Sequence, residues 1–278
     1  MHGMEMDQAA GLRRTTGWSV AVTSGKGGVG KTSLAVNLAL ALAQSGTRTC
    51  LVDGDLGLAN VDVLLNLHPR HTLQDVVARG LTLADVTMTG PAGLQVVPAA
   101  SGVEALANLG PAARQALVGR LRQPALGSEA LVLDTGAGIS HTVLTLALAA
   151  DAVLVVTTPE PTALTDAYAM LKVLSRRRPA LPVQIVLNQV EHGAHARDVH
   201  GHLARIAERF LQRMVPLAGW VPRDACVERA VREQRPLMLY FPYARATEAI
   251  RDIAVRLQQR APTDQAGFWD RLVAGEPA

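Results

Sequence analysis

The sequence predicts a doubly wound α/β fold: a mostly parallel sheet of about seven strands with helices on both faces. Three observations carry this prediction. Short apolar runs alternate with helix-length segments through most of the chain. The runs do not alternate strictly between polar and apolar residues, as expected of strands covered on both faces. The first run passes directly into a glycine-rich loop and then a helix, at the strand ends where open α/β sheets place ligands.

In chain order, strands are expected at 18–24 (WSVAVTS), 48–53 (RTCLVD), 94–99 (LQVVPA), 130–135 (ALVLDT), 152–158 (AVLVVTT), 183–189 (VQIVLNQ) and 215–221 (VPLAGWV). Helices are expected over 31–45, 111–122, 138–149, 161–177, 195–213 and 242–260. No repeat, low-complexity linker or interior boundary interrupts the series. One domain therefore spans 17–261, between an N-terminal tail (1–16) and a C-terminal tail (262–278). With only 3% aromatic residues, its core has to be aliphatic.

Charge and cysteine usage exclude several classes. The net charge of +3 is spread along the chain. The densest basic run, Arg176-Arg177-Arg178, is expected as a solvated helix C-terminus favoured by the helix dipole. No aromatic side chains interleave with it, which argues against nucleic acid. Cys50 sits in a strand-like run and Cys226 lies far from it without C-x-x-C spacing. Neither a disulfide framework nor a cysteine metal site is expected, and a reducing cytoplasm fits. The N-terminus has no apolar signal-peptide core, and no stretch is long enough to span a bilayer without charges.

The chemistry starts at residues 24–33, SGKGGVGKTS. Gly25, Gly30, Lys31 and Thr32 complete a G-x-x-x-x-G-K-[ST] phosphate loop between a strand and a helix, the context that makes the motif specific. Its successive N–H groups, across Gly25, Lys26, Gly27, Gly28, Val29, Gly30 and on to Ser33, form an anion nest. The helix N-terminus adds partial positive charge. Lys31 is expected on the β- and γ-phosphates, and Thr32 on Mg²⁺. The second lysine, Lys26, is unusual. The chain has only three lysines (26, 31 and 172) against twenty-four arginines, so two in one loop imply a chemical need.

Two carboxylate positions complete the site. Asp134 ends the run ALVLD before TGAG, as a Walker-B aspartate followed by a switch glycine, Gly138, would; it is expected to hold a Mg²⁺-bound water. In LVDGDLGLAN, Asp53 and Asp55 frame a glycine at another strand end. A lone aspartate there is often only a helix N-cap. Here Asp55 is assigned to orient the attacking water and Asp53 to the Mg²⁺ water shell.

The stretch Gly25–Thr32 resembles the deviant Walker A of the MinD/ParA ATPases, and the resemblance runs from residue 18 to 260. It implies that Lys26 reaches across a homodimer interface to the partner's ATP, neutralising charge on the transferring phosphoryl group as an arginine finger does. It also implies that Asn188 reads the adenine edge, that Val221-Pro222-Arg223 line the base, and that Glu160 reaches the ribose across the dimer. On sequence alone, Asn188 and Pro222 are equally ordinary loop punctuation, and Glu160 an exposed helix-start acid. The family usually has Ala or Pro where Gly136 stands, which implies a more flexible switch here.

Within that family, DGDLGLANVDVLL, VVPAASG and DTGAGIS are similar to the FlhG/FleN flagellar-number regulators. Asp7, Gln8, Ala9, Leu12 and Arg13 match their D-Q-A-x-x-L-R element, which implies stimulation of an FlhF-type GTPase. A flagellar transcription activator or a switch-complex protein is implied as a further partner. In the tail QAGFWDRLVAG, Phe268, Trp269, Leu272 and Val273 would share one helical face, with Asp270 and Arg271 opposite. That face resembles a MinD-like membrane-targeting helix for the inner membrane surface, or packs on the protein's own body. The expected function is an ATP- and Mg²⁺-dependent, dimerising ATPase that sets flagellar number. A DNA-partitioning ATPase, an iron–sulfur carrier of the same fold and a nucleotide-gated scaffold are the alternatives.

Overall fold

A computed structural model describes residues 17–55, 60–98, 127–259 and 267–274. The N-terminal motif expected to act on a GTPase, the expected helix at 111–122 and the 261/262 boundary fall outside these residues.

The strands are β1 (Trp18–Ser24), β2 (Thr49–Gly54), β3 (Met88–Thr89), β4 (Gln95–Val97), β5 (Ala130–Ala137), β6 (Ala152–Thr157), β7 (Val183–Val190) and β8 (Leu217–Pro222). They form one eight-stranded sheet in the order β3-β4-β2-β5-β1-β6-β7-β8. All pairs are parallel except β3 with β4. The sheet is thus the doubly wound one expected, with one additional strand. That strand, β3, is a two-residue antiparallel edge too short to leave an apolar run.

The helices are α1 (Lys31–Gln44), α2 (Val61–Leu65), α3 (Leu73–Arg79), α4 (Leu83–Val86), α5 (His141–Ala149), α6 (Pro161–Arg177), α7 (Gly193–Leu211), α8 (Ala225–Arg232), α9 (Leu237–Tyr240), α10 (Arg245–Gln259) and α11 (Phe268–Ala274). The pleat explains why the strands read as unbroken apolar runs. Val20 and Val22 of β1 enter the core under α1 and α10, whereas Ala21 between them enters the core under α5–α7. In β2, Leu51 faces the first core, and Cys50 and Val52 face the second. Both faces are covered, so both residue parities are apolar.

Crossovers between parallel strands return the chain antiparallel to the sheet. The C-terminal ends of α5, α6 and α7 therefore lie at the edge where strands begin, opposite the glycine loop. One sequence expectation fails at that edge. Arg178 is not part of a solvated helix end: its Nη1 donates to Leu148 O (2.7 Å) and Ala150 O (2.8 Å), satisfying carbonyls at the end of α5. Arg271 of α11, opposite the apolar face, is turned to the same run of carbonyls. It donates to Ala149 O (2.6 Å) and to Asp151 Oδ1 (2.6 Å). Asp151 is only 6% exposed and also accepts from Ser19 N and Oγ, so it needs a cation, and Arg271 supplies one. Phe268, Leu272 and Val273 are buried in the same core as α5, with Trp269 half-buried against Phe268.

Candidate nucleotide site

The glycine loop leaves β1 at Ser24, whose hydroxyl donates to Lys26 O (2.9 Å). Gly28 and Gly30 adopt φ of 79° and 85°, the left-handed region that favours glycine. Gly30 has a second constraint: a β-carbon there would meet Asn188 Nδ2 at 2.4 Å. No side chain caps the first turn of α1, so its free N–H groups face the loop.

The two lysines diverge. Lys31, the first residue of α1, is 7% exposed, and its Nζ donates to Asp134 Oδ1 at 2.6 Å and to Thr32 Oγ1 at 3.3 Å. Lys26 stands at the rim with its side chain 39% exposed. Its Nζ donates to Glu160 Oε2 (3.0 Å) and Thr162 Oγ1 (2.9 Å), both at the start of α6. Thr162 carried no signal in the sequence: a hydroxyl in a helical first turn is commonplace, and only the fold brings it to the loop.

Asp53 and Asp134 are register neighbours on β2 and β5, each essentially buried. Asp53 Oδ1 accepts from Asp55 N (3.0 Å) and Oδ2 from Val61 N (3.4 Å), so this carboxylate also shapes the turn into α2. Burial, and then the neighbouring Asp134 charge, push the Asp53 carboxyl up to about 7. Burial raises Asp134 as well, with the Lys31 ammonium pulling against it. Two carboxylates thus share one ammonium, and Asp134 Oδ2 has no hydrogen-bond partner. The donor set fits a divalent cation held by carboxylates, the Thr32 hydroxyl and nucleotide phosphates, which is how Mg²⁺ is usually bound. Among the described residues no three His, Cys, Asp or Glu side chains form a metal cage of their own.

Asp55 approaches the last residues of β5. A β-carbon at position 136 would lie 3.7 Å from Asp55 Oδ1 and 3.2 Å from Val143 Cγ2, so this gap takes glycine most easily. Gly138, with φ of 86°, donates its N–H to Ser24 O at 2.8 Å and ties the end of β5 to the end of β1.

At the other end of the loop is a cavity of about 370 Å³, lined among others by Ser33, Leu34, Asn188, Pro222, Arg223 and Val231. Val221 also lines it, buried, while Arg223 is exposed. Asn188 Nδ2 donates to Val29 O (2.7 Å), and its Oδ1 accepts from Gln189 N (2.9 Å). One N–H and one lone pair of the amide remain for a ligand. Glu160 stands apart from this lining, engaged with Lys26.

Cys50 is buried near the start of β2, its thiol pushed up to about 12 by burial; Cys226 lies in the first turn of α8. Both are free thiols.

A phosphate loop at the strand ends of a doubly wound sheet, with two carboxylates beside its lysine, defines a P-loop NTPase. Comparison with known proteins places it further. The ParA family profile, described as NUBPL iron-transfer P-loop NTPase, matches residues 16–258. The antiactivator FleN of Pseudomonas aeruginosa is 41% identical over 259 residues, covering 91% of this chain and 92% of FleN. The flagellum site-determining protein YlxH of Helicobacter pylori is 32% identical, covering 88% of this chain and 83% of YlxH. Among solved structures, the septum site-determining protein MinD of Pyrococcus horikoshii complexed with Mg-ADP superposes with a TM-score of 0.69 at 25% identity, covering 87% of this chain and 96% of that one. The chain belongs to the ParA/MinD family of P-loop NTPases, whose members are typically ATPases.

Proposed function

We propose that this protein is an ATP-driven dimerisation switch that regulates flagellar number or placement. The carrying observation is the division of labour between the two loop lysines. Lys31 is buried on Asp134 and already committed to its own phosphate site. Lys26 is exposed at the rim, held only by surface groups, and free to reach a second nucleotide. In the ATP state two protomers face each other, and the Lys26 ammonium of each neutralises charge developing on the partner's γ-phosphate. Bound Mg²⁺ supplies charge neutralisation at the phosphates. Asp134, Asp53 and Thr32 position it, Lys31 releases Asp134 to meet the β- and γ-phosphates, and Asp55 orients the attacking water. Asn188, Val221, Pro222 and Arg223 hold the base. Glu160 contacts the ribose once Lys26 has left it, and Gly138 lets the β5 loop follow the γ-phosphate. Hydrolysis is slow and returns the switch to monomer.

The relation to FleN and YlxH supports the flagellar role. In this reading Asp7, Gln8, Ala9, Leu12 and Arg13 engage an FlhF-type GTPase and raise its GTP hydrolysis, and a flagellar transcription activator or switch-complex protein reads the dimer. The apolar face of α11 (Phe268, Trp269, Leu272 and Val273) leaves the body in the ATP dimer and binds the inner face of the cell membrane reversibly. No described helix is long and apolar enough to cross a membrane. The test is size-exclusion with light scattering on Asp55→Ala, with ATP–Mg²⁺ or ADP, with and without Lys26→Ala. A dimer seen only with ATP and lost without Lys26 is the expected result; a monomer under every condition would refute the switch.

A further inference from the structure

The phosphate loop accounts for two of the three lysines. The third, Lys172, lies on the outer face of α6 in a groove of about 360 Å³, formed with Tyr168, Ser175, Arg176, Phe210 and Leu211. Tyr168, Lys172 and Arg176 follow one another at four-residue spacing, one stripe of the helix. Lys172 and Arg176 are exposed, and no carboxylate is paired with either among the described residues. From Ala167 to Val183 the sequence contains no acid at all. Ser175 Oγ accepts from Arg213 Nη1 at 3.1 Å, which leaves its hydroxyl proton free to donate.

Phe210, which lines the same groove, and Met214, next after the Arg213 that reaches Ser175, protrude into solvent. Phe210 is 63% exposed with the Arg209 guanidinium 5.3 Å from its ring centre, and Met214 is 83% exposed. Exposed cations beside apolar side chains that reach into solvent suit a headgroup layer over acyl chains. The position agrees. Arg178, just after α6, and Arg271 of α11 donate to adjacent carbonyls at the end of α5. The basic groove and α11 therefore belong to one end of the molecule, away from the nucleotide.

We infer that the corner formed by Lys172, Arg176, Phe210 and Met214 is a second membrane contact, taking anionic phospholipid headgroups beside α11. The inference rests on the membrane reading of α11 and answers its physical weakness. A single short insert gives only marginal binding, and stable anchoring takes two signals, an apolar insert and a basic patch; the seven residues of α11 supply only the first.

The test uses the full chain with ATP–Mg²⁺ and co-sedimentation with phosphatidylcholine vesicles, with and without phosphatidylglycerol. Wild type is expected to partition onto the anionic vesicles only, and less so as salt rises. Lys172→Gln with Arg176→Gln should weaken that partitioning about thirtyfold, at about tenfold per 1.4 kcal/mol and about 1 kcal/mol per cation. Phe210→Ser with Met214→Ser should weaken it independently. ATP-induced dimerisation, read by light scattering on the same samples, should stay unchanged and show that the variants are folded. If the charge variant binds anionic vesicles as wild type does, the inference fails while the membrane reading of α11 stands, and the groove is left to an acidic protein segment. If wild type binds neither vesicle in any nucleotide state, the membrane reading itself fails and the inference falls with it.

Discussion

Lys31 and Lys26 stand five residues apart in one loop, yet they occupy opposite electrostatic regimes. The Lys31–Asp134 pair is almost fully buried at 2.6 Å, with a second carboxylate, Asp53, beside it. The Lys26–Glu160 pair is at 3.0 Å, with side chains 39% and 65% exposed. Removing one partner of a buried pair leaves a stranded charge, at about 3–5 kcal/mol, whereas an exposed pair contributes about 0–1 kcal/mol. The first lysine is therefore part of the fold as well as of the site. The second can change partners at little energetic expense, which suits a group that has to leave its own protomer.

The largest test of this contrast is catalytic. Lys26→Ala should lower ATP turnover about a thousandfold, the scale of losing an arginine finger, with unfolding free energy within about 0.5 kcal/mol of wild type. Steady-state phosphate release and urea denaturation on the same protein check both halves. A Lys26→Ala variant with near-normal turnover would place the trans-acting charge elsewhere.

The next effect is on stability. Lys31→Ala should destabilise the nucleotide-free protein by about 3 kcal/mol, because two buried carboxylates lose their shared ammonium, and Glu160→Ala by less than about 0.5 kcal/mol. Equal urea midpoints for the two variants would show that burial does not separate the pairs.

Proton linkage sharpens the buried side. The Asp53 carboxyl titrates near 7 in the folded, nucleotide-free protein, raised from 3.8 by burial and by Asp134, with Lys31 opposing. A group whose folded pKa is raised favours folding while protonated. Its contribution is fully present below about pH 4, fades as pH rises towards 7 and is flat above. Asp53→Asn should remove that slope and raise the unfolding midpoint above pH 7 without nucleotide. Thermal melts of both proteins across pH 4–8 measure the difference, and parallel curves would refute the assignment.

The buried half of this contrast was legible in the sequence, and the exposed half was not, for a physical reason. The glycine loop, Lys31 and Asp134 each have a local context, a strand end or a helix start, that fixes where they sit. The apolar runs likewise located every strand but β3, where two residues of antiparallel edge leave no pattern. Thr162 and Glu160 meet Lys26 from more than 130 residues away. Arg178 looked like a solvated charge, and nothing in the sequence paired Arg271, because their acceptors, the carbonyls ending α5 and the buried Asp151, exist as acceptors only after the chain has folded. Side chains with local signals were assigned from spacing; those recruited by tertiary carbonyls were not.

The smallest effect bears on how loosely Lys26 is held. In the single protomer its ammonium has two acceptors, Glu160 Oε2 and Thr162 Oγ1. Dimerisation has to break both before the lysine can reach another phosphate, so both favour the monomer. Glu160 is ambiguous as a probe, because its carboxylate is also proposed to meet ribose in the dimer. Thr162→Val is cleaner: it removes one acceptor and keeps the side-chain shape. Each protomer breaks one such hydrogen bond, so it counts twice per dimer; at about 0.7 kcal/mol apiece for so exposed a site, this predicts at most about a tenfold tighter ATP-dependent dimer. Glu160→Gln should gain less than this, or lose affinity, because weakening the hold on Lys26 and weakening the ribose contact act in opposite directions. Sedimentation equilibrium with ATP–Mg²⁺ in an Asp55→Ala background reads both variants. A weaker dimer for Thr162→Val would mean that the hydroxyl acts in the dimer rather than against it, and that Lys26 is guided by α6 instead of restrained by it.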